Sequence, residues 1–129
     1  MPSEPRTRVL YVDDDDDSRE MLSTLLAILS IEVTGVATAE SAIALIDAER
    51  FDVYLLDAWL PDTDGFELCR QIRKTNPTAP VPFFSGAAHD SDIKRGLDAG
   101  ACAYVCKPDV RGLLGTISQV VPSSHGVAA

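Results

Sequence analysis

Five short apolar runs alternate along this chain with stretches whose apolar residues recur every three or four positions. A strand covered on both faces reads as a nearly continuous apolar run, and a helix lying on a sheet reads as an amphipathic stretch. The alternation therefore predicts a parallel sheet clothed in helices. The runs fall at residues 9–12, 31–36, 53–56, 81–84 and 103–106. In the second, Glu32 and Thr34 interrupt the apolar residues, as suits an edge strand wet on one side. Between the runs, Met21, Leu22, Leu25, Leu26 and Leu29 form one helical face, with Asp17 and Glu20 spaced as a capping box. A second helix is expected over 39–49, capped by Thr38, with Ile43 and Ile46 facing inward. The turn-rich segment from Leu60 to Gly65 precedes a third helix carrying Phe66, Leu68, Cys69 and Ile72, which Asn76 and Pro77 close. Further helices are expected over 91–99, stopped by Gly100, and over 110–121.

A chain of 129 residues, 46% of them hydrophobic, is long enough for one domain with a core and too short for two. The expected division is a tail over 1–7, a domain over 8–121 and a second tail over 122–129. A net charge of -9 argues against direct nucleic-acid binding and against an anionic membrane surface. It favours a cation or a basic partner. No apolar run reaches membrane-spanning length, and the first residues do not form a signal segment, so the cytoplasm is expected. Cys69, Cys102 and Cys106 lack paired metal-ligand spacing and read as reduced, mostly buried thiols. His89 and His125 have no nearby second ligand, and neither is assigned a role.

Ligands of an open parallel sheet bind beyond the carboxyl ends of its strands, so the residue after each run carries most of the information. Asp13 and Asp14 follow the first run, Asp57 the third, Ser85 the fourth and Lys107 the fifth. Asp15, Asp16 and Asp17 fall in the loop and helix start, where solvation and capping account for them. Two carboxylates about 4 Å apart repel by roughly 4 kcal/mol at an effective dielectric near 20. A hard divalent cation offsets that repulsion, and Mg2+ suits a site of few carboxylates plus a phosphate. Asp13 or Asp14, together with Asp57, would be its ligands. Asp57 would then be a nucleophile toward phosphorus, with Lys107 and Ser85 holding the phosphoryl oxygens.

From Arg8 to Val121 the chain resembles the receiver domain of two-component response regulators. The matching motifs are Asp13-Asp14 after the first strand, Asp57 followed by Leu60-Pro61 and Asp64-Gly65, Ser85-Gly86, and Lys107-Pro108. The resemblance implies a flavodoxin-like, doubly wound α/β fold, a five-stranded parallel sheet in the order 2-1-3-4-5 with helices on both faces. It implies phosphorylation of Asp57 by a histidine kinase or a histidine phosphotransfer protein. Asp13, Asp14, Asp57 and the backbone carbonyl of Trp59 match the ligands of Mg2+, for which Mn2+ can substitute. Ser85 and Lys107 match the phosphoryl grip, and Ser85 with Tyr104 the switch pair. Tyr104 stands three residues before Lys107, so the two side chains belong to opposite faces of the strand. The signalling face would comprise the fourth strand, fourth helix and fifth strand, with Ile93, Leu97 and Tyr104 exposed to a downstream effector or to a second copy in a homodimer.

Three positions depart from the family pattern. Asp16 stands where proline is common, Trp59 where a smaller or aliphatic residue is usual, and Asp109 where an apolar residue follows Lys107-Pro108. Trp59 is expected to cover the mouth of the pocket and slow attack by water; Asp109 leaves the packing of the last helix open. Two other classes compete with a switch that promotes its own phosphorylation and dephosphorylation without turning over a separate substrate. A degenerate receiver would bind partners unphosphorylated, but every pocket residue type is present. A phosphohydrolase would carry a second aspartate just after Asp57, where Ala58 and Trp59 stand. No effector domain follows the receiver in these residues, consistent with a stand-alone regulator or with a piece of a longer protein.

Overall fold

The structure is a computed structural model and describes residues 6–121. The expected tail over 122–129, with His125, and most of that over 1–7 lie outside the described residues. Elements alternate along the chain: β1 (Thr7–Val12), α1 (Asp16–Ile28), β2 (Ile31–Val36), α2 (Ala39–Ala48), β3 (Val53–Leu56), α3 (Gly65–Thr75), β4 (Pro82–Ser85), α4 (Asp90–Asp98), β5 (Ala103–Cys106) and α5 (Val110–Val120). The strands form one parallel sheet in the order β2-β1-β3-β4-β5, as the resemblance implied. Thr7, expected in the tail, opens β1 and lies opposite Ile31 of β2.

Side chains alternate across a strand, and here the alternation divides the interior into two cores. Leu10, Val12, Leu56 and Phe83 join Ala42, Phe66, Leu68 and Ile72 of α2 and α3 on one face. Val9, Tyr11, Leu55 and Phe84 join Leu22, Leu26, Leu113 and Ile117 of α1 and α5 on the other. Each large side chain so buried contributes about 1.5–3 kcal/mol before the entropic cost of ordering it. The sheet is thereby sealed on both faces, and only its edges remain for chemistry.

Helix starts differ in detail from expectation. Asp15, not Asp17, caps α1: its carboxylate accepts from the Ser18 amide at 3.0 Å. The turn closes early because Asp13 accepts the Asp15 amide at 2.9 Å, which brings the chain into helical geometry one step after the acidic pair. Thr38 caps α2 as expected, and Asp64 caps α3 through the Glu67 amide. Asp109 caps α5, accepting from Gly112 at 2.9 Å, so the residue that left the last helix open is what starts it. The α4 helix begins at Asp90 and ends at Asp98, and just beyond its C-cap Ala99 stands Gly100, whose φ of 111° is a left-handed conformation that costs glycine little. β4 is shifted one residue from the predicted run, which makes Ser85 its last residue. The cysteines are free, with Cys69 buried; Cys102 is exposed, against expectation, because it lies in the turn before β5.

Gly65 determines how closely α3 approaches the sheet. A Cβ there would stand 2.0 Å from the backbone oxygen of Asp57. Gly65→Ala is therefore expected to destabilise the fold by about 2–3 kcal/mol through forced displacement of α3. Gly115 in α5 has nothing within 4 Å of the same position, and Gly115→Ala should stabilise by about 0.5–1 kcal/mol. Urea denaturation of the two variants against the parent measures both.

Candidate functional site

The carboxyl ends of β1, β3, β4 and β5 each deliver one part of a single cleft. Asp13, Asp14, Asp57, Ser85, Lys107 and Trp59 all line it, in a space of about 840 Å³. Carboxylate oxygens of Asp13, Asp14 and Asp57 lie within 4.8 Å of one another. Asp13 is fully buried, Asp57 is 9% exposed and Ser85 1%, whereas Asp14 faces solvent. The residues singled out in the sequence are thus brought together from both ends of the chain. His89, given no role, also lines the cleft.

Asp13 is the most heavily bonded of the acids. Its Oδ2 accepts from Lys107 Nζ at 2.7 Å and from the Tyr11 hydroxyl at 2.5 Å, and its Oδ1 accepts from the Asp15 amide. Arg19 of α1 donates to the Asp13 carbonyl at 2.6 Å and pairs with Asp16. Asp16, where the family has proline, is thereby tied to Arg19. Burial, followed by the bond to Asp13, pushes the Tyr11 hydroxyl far above its ordinary pKa, so it remains a donor.

Asp57 is positioned by the backbone: its amide donates to Val12 at 2.9 Å, and its Oδ1 accepts from the Ala58 amide at 2.9 Å. Burial raises its pKa above the ordinary carboxylate value; Asp13 acts in the same direction, while Ser85 and Lys107 oppose it. One ammonium offsets one of three negative charges. The remaining donors are all oxygen and partly open to solvent, a set that suits a hard cation.

Beside the cleft, the peptide of Ala87 joins two side chains. Its amide donates to Ser85 Oγ at 3.1 Å, and its carbonyl accepts from the Tyr104 hydroxyl at 2.6 Å. The Tyr104 ring is stacked on Phe83 with centroids 5.4 Å apart, Phe83 on Phe66 at 5.5 Å, and Phe66 meets the edge-on Trp59 at 5.7 Å. Lys107 lies over Phe84, on the other core's side of the sheet, so Tyr104 and Lys107 do serve opposite faces. Trp59, half exposed, pairs with Asp64 in an antiparallel bridge, and Arg95 of α4 lies over both Trp59 and Phe66. Leu97 is exposed on α4, with Ile93 and Tyr104 partly buried.

Tyr11, Arg19 and Ala87 were not anticipated. Tyr11 was legible in principle, since a period of two puts it on the side of the strand that Asp13 continues. Arg19 and Ala87 act through contacts to backbone carbonyls and amides, which leave no mark in residue type.

Fold and cleft together define a class: a doubly wound α/β domain that gathers acids, a hydroxyl and a lysine at the carboxyl edge of its sheet. The family model of the response regulator receiver domain matches residues 9–118, and the chain belongs to that family. It is 42% identical over 103 residues to the transcriptional regulatory protein CseB of Streptomyces coelicolor, a match covering 80% of this chain and 44% of that protein. Among solved structures it is similar to a CheY-like response regulator receiver domain protein of Methanospirillum hungatei, with 34% identity and a TM-score of 0.83 over 89% of this chain and 93% of that one. The non-phosphorylated HemR receiver domain of Leptospira biflexa is 30% identical, with a TM-score of 0.82 over 89% of this chain and 94% of that one. The chain spans less than half the length of the first curated relatives it matches.

Those relatives are regulators rather than metabolic enzymes by name. Several are called transcriptional regulatory proteins, so the expectation of no nucleic-acid binding finds no support. Net charge describes only the residues that carry it, and the relatives are longer. Among the described residues no helix is long and apolar enough to cross a membrane.

Burial holds the Asp57 proton to higher pH in the folded chain than in the unfolded one. Stability is then lost as pH rises from the unfolded value through the raised one. Asp57→Asn should accordingly raise Tm at pH 7 in chelator, with the gain vanishing below about pH 4. Thermal melts at several pH values measure this, and a Tm that falls at pH 7 contradicts it.

Proposed function

We propose that this domain is a phosphorylation switch whose acceptor is the Asp57 carboxylate, working with Asp13, Asp14, Ser85 and Lys107. The observation that carries the reading is the meeting of three carboxylates within 4.8 Å, with Lys107 bonded to the most buried of them. Asp13, Asp14, Asp57 and the Trp59 carbonyl would hold Mg2+, or Mn2+ in its place. Bound there, the ion supplies the positive charge that lets a carboxylate approach a phosphoryl group.

The chain's own residues do the rest. An Asp57 oxygen forms a bond to phosphorus while the donor's P–N bond breaks and its electron pair leaves with the imidazole nitrogen. The donor is a phosphohistidine on a sensor kinase or histidine phosphotransfer protein. Lys107, now on Asp13, turns its ammonium to a phosphoryl oxygen, and the Ser85 hydroxyl donates a hydrogen bond to another. Phosphorylation adds about two negative charges, enough to favour one of two existing arrangements. Because Ala87 bonds both Ser85 and Tyr104, a shift of Ser85 pulls on the segment that holds the tyrosine. Tyr104 and the exposed Leu97 then present α4 and β5 differently to an effector or to a second copy of the domain. The switching unit is the domain over 8–121, acting in the cytoplasm without turnover of a separate substrate.

Acetyl phosphate with Mg2+ should place one hydroxylamine-sensitive phosphoryl group on the parent and none on Asp57→Asn, as read by intact mass. Labelling of Asp57→Asn at the parent's rate and site would overturn the assignment. Trp59 lies on the cleft wall, where its ring restricts the approach of water. Trp59→Asn should therefore shorten the phosphoryl lifetime about three- to tenfold, a barrier change of roughly 1 kcal/mol; an unchanged or longer lifetime removes the shielding role.

A further inference from the structure

Tyr11 carries a polar tip on the face of β1 that packs against α1 and α5. Its ring is fully buried among Val9, Leu55 and Phe84, and its hydroxyl leaves that core to meet Asp13 Oδ2 at 2.5 Å. The same oxygen takes the Lys107 ammonium at 2.7 Å. Asp13 thus has two side-chain donors on one atom, one charged and mobile on a long stem, one neutral and held by packing. The second oxygen is occupied by the Asp15 amide.

That arrangement bears directly on what happens when Lys107 leaves. A buried carboxylate is strongly disfavoured once its ammonium leaves, and were the Asp15 amide its one remaining donor it would hold the lysine back. The Tyr11 hydroxyl shares Oδ2 with the ammonium and is placed to keep that oxygen paired once the ammonium leaves. Phenylalanine would fill the same core volume, so apolar packing alone does not call for the hydroxyl.

We propose that Tyr11 is a positioning residue for phosphoryl transfer: its hydroxyl holds the Asp13 carboxylate in place while Lys107 moves from Asp13 to the phosphoryl group on Asp57. The inference rests on the phosphoacceptor reading given above. It assigns Tyr11 no contact with the phosphoryl group and no proton to transfer. Its role is to make Lys107 cheap to release.

The test is a double-mutant cycle on phosphorylation by acetyl phosphate at saturating Mg2+, with Tyr11→Phe made in the parent and in Lys107→Ala. Tyr11→Phe should slow labelling of Asp57 about five- to tenfold in the parent background, within the range of one net hydrogen bond. In the Lys107→Ala background the same change should alter the residual rate by less than about twofold, since no lysine remains to be released. A purely structural role would slow both backgrounds alike, and urea denaturation of each variant separates lost folding from lost positioning. Parent-like labelling by Tyr11→Phe, or equal slowing in both backgrounds, overturns the role of Tyr11 while leaving the acceptor assignment intact. A parent protein that does not label at all overturns the acceptor assignment and this inference with it.

Discussion

Three carboxylates share a space in which like charges repel, and one of them, Asp13, has no contact with solvent. Lys107, Tyr11 and the Asp15 amide make that tolerable by occupying both oxygens of Asp13. The remaining charge, on Asp14 and Asp57, is offset by no second ammonium among the residues lining the cleft, an imbalance that suits the cation invoked in the proposed function. The fold serves the same constraint. A parallel sheet sealed on both faces brings its strand ends to one edge, where a few polar groups can be held with little reorganisation. Gly65 adds to this by letting α3 abut the Asp57 backbone.

The cleft is connected to the outer surface by two kinds of contact. One is the Ala87 peptide, bonded on one side to Ser85 and on the other to Tyr104. The other is the run of rings from Trp59 through Phe66 and Phe83 to Tyr104. Packed rings resist gradual deformation because interiors are dense, so such a run favours discrete arrangements over continuous ones. Arg95 fastens the α4 end of this assembly by lying over Trp59 and Phe66.

Where sequence and structure differ, the difference is one of local hydrogen bonding. Asp17 and Glu20 have the spacing of a capping box, yet Asp15 caps α1, because Asp13 draws in the Asp15 amide and starts the helix sooner. Asp109 departs from the family's apolar preference and is used as the α5 cap. Cys102 sits beside an apolar strand in sequence but in a turn in space. In each case the residue type permits two uses, and backbone conformation selects one.

By itself the sequence determined the alternation of strands and helices, the edge character of β2, and the five side chains that stand at strand ends. Those properties follow from periodicity and position, which are written along the chain. Only the tertiary structure decided that Tyr11 reaches Asp13, that Arg19 and Lys107 reach it from opposite ends of the chain, and that Ala87 links Ser85 to Tyr104. Such contacts depend on distances between elements that packing sets, and several of them end on backbone atoms that every residue possesses.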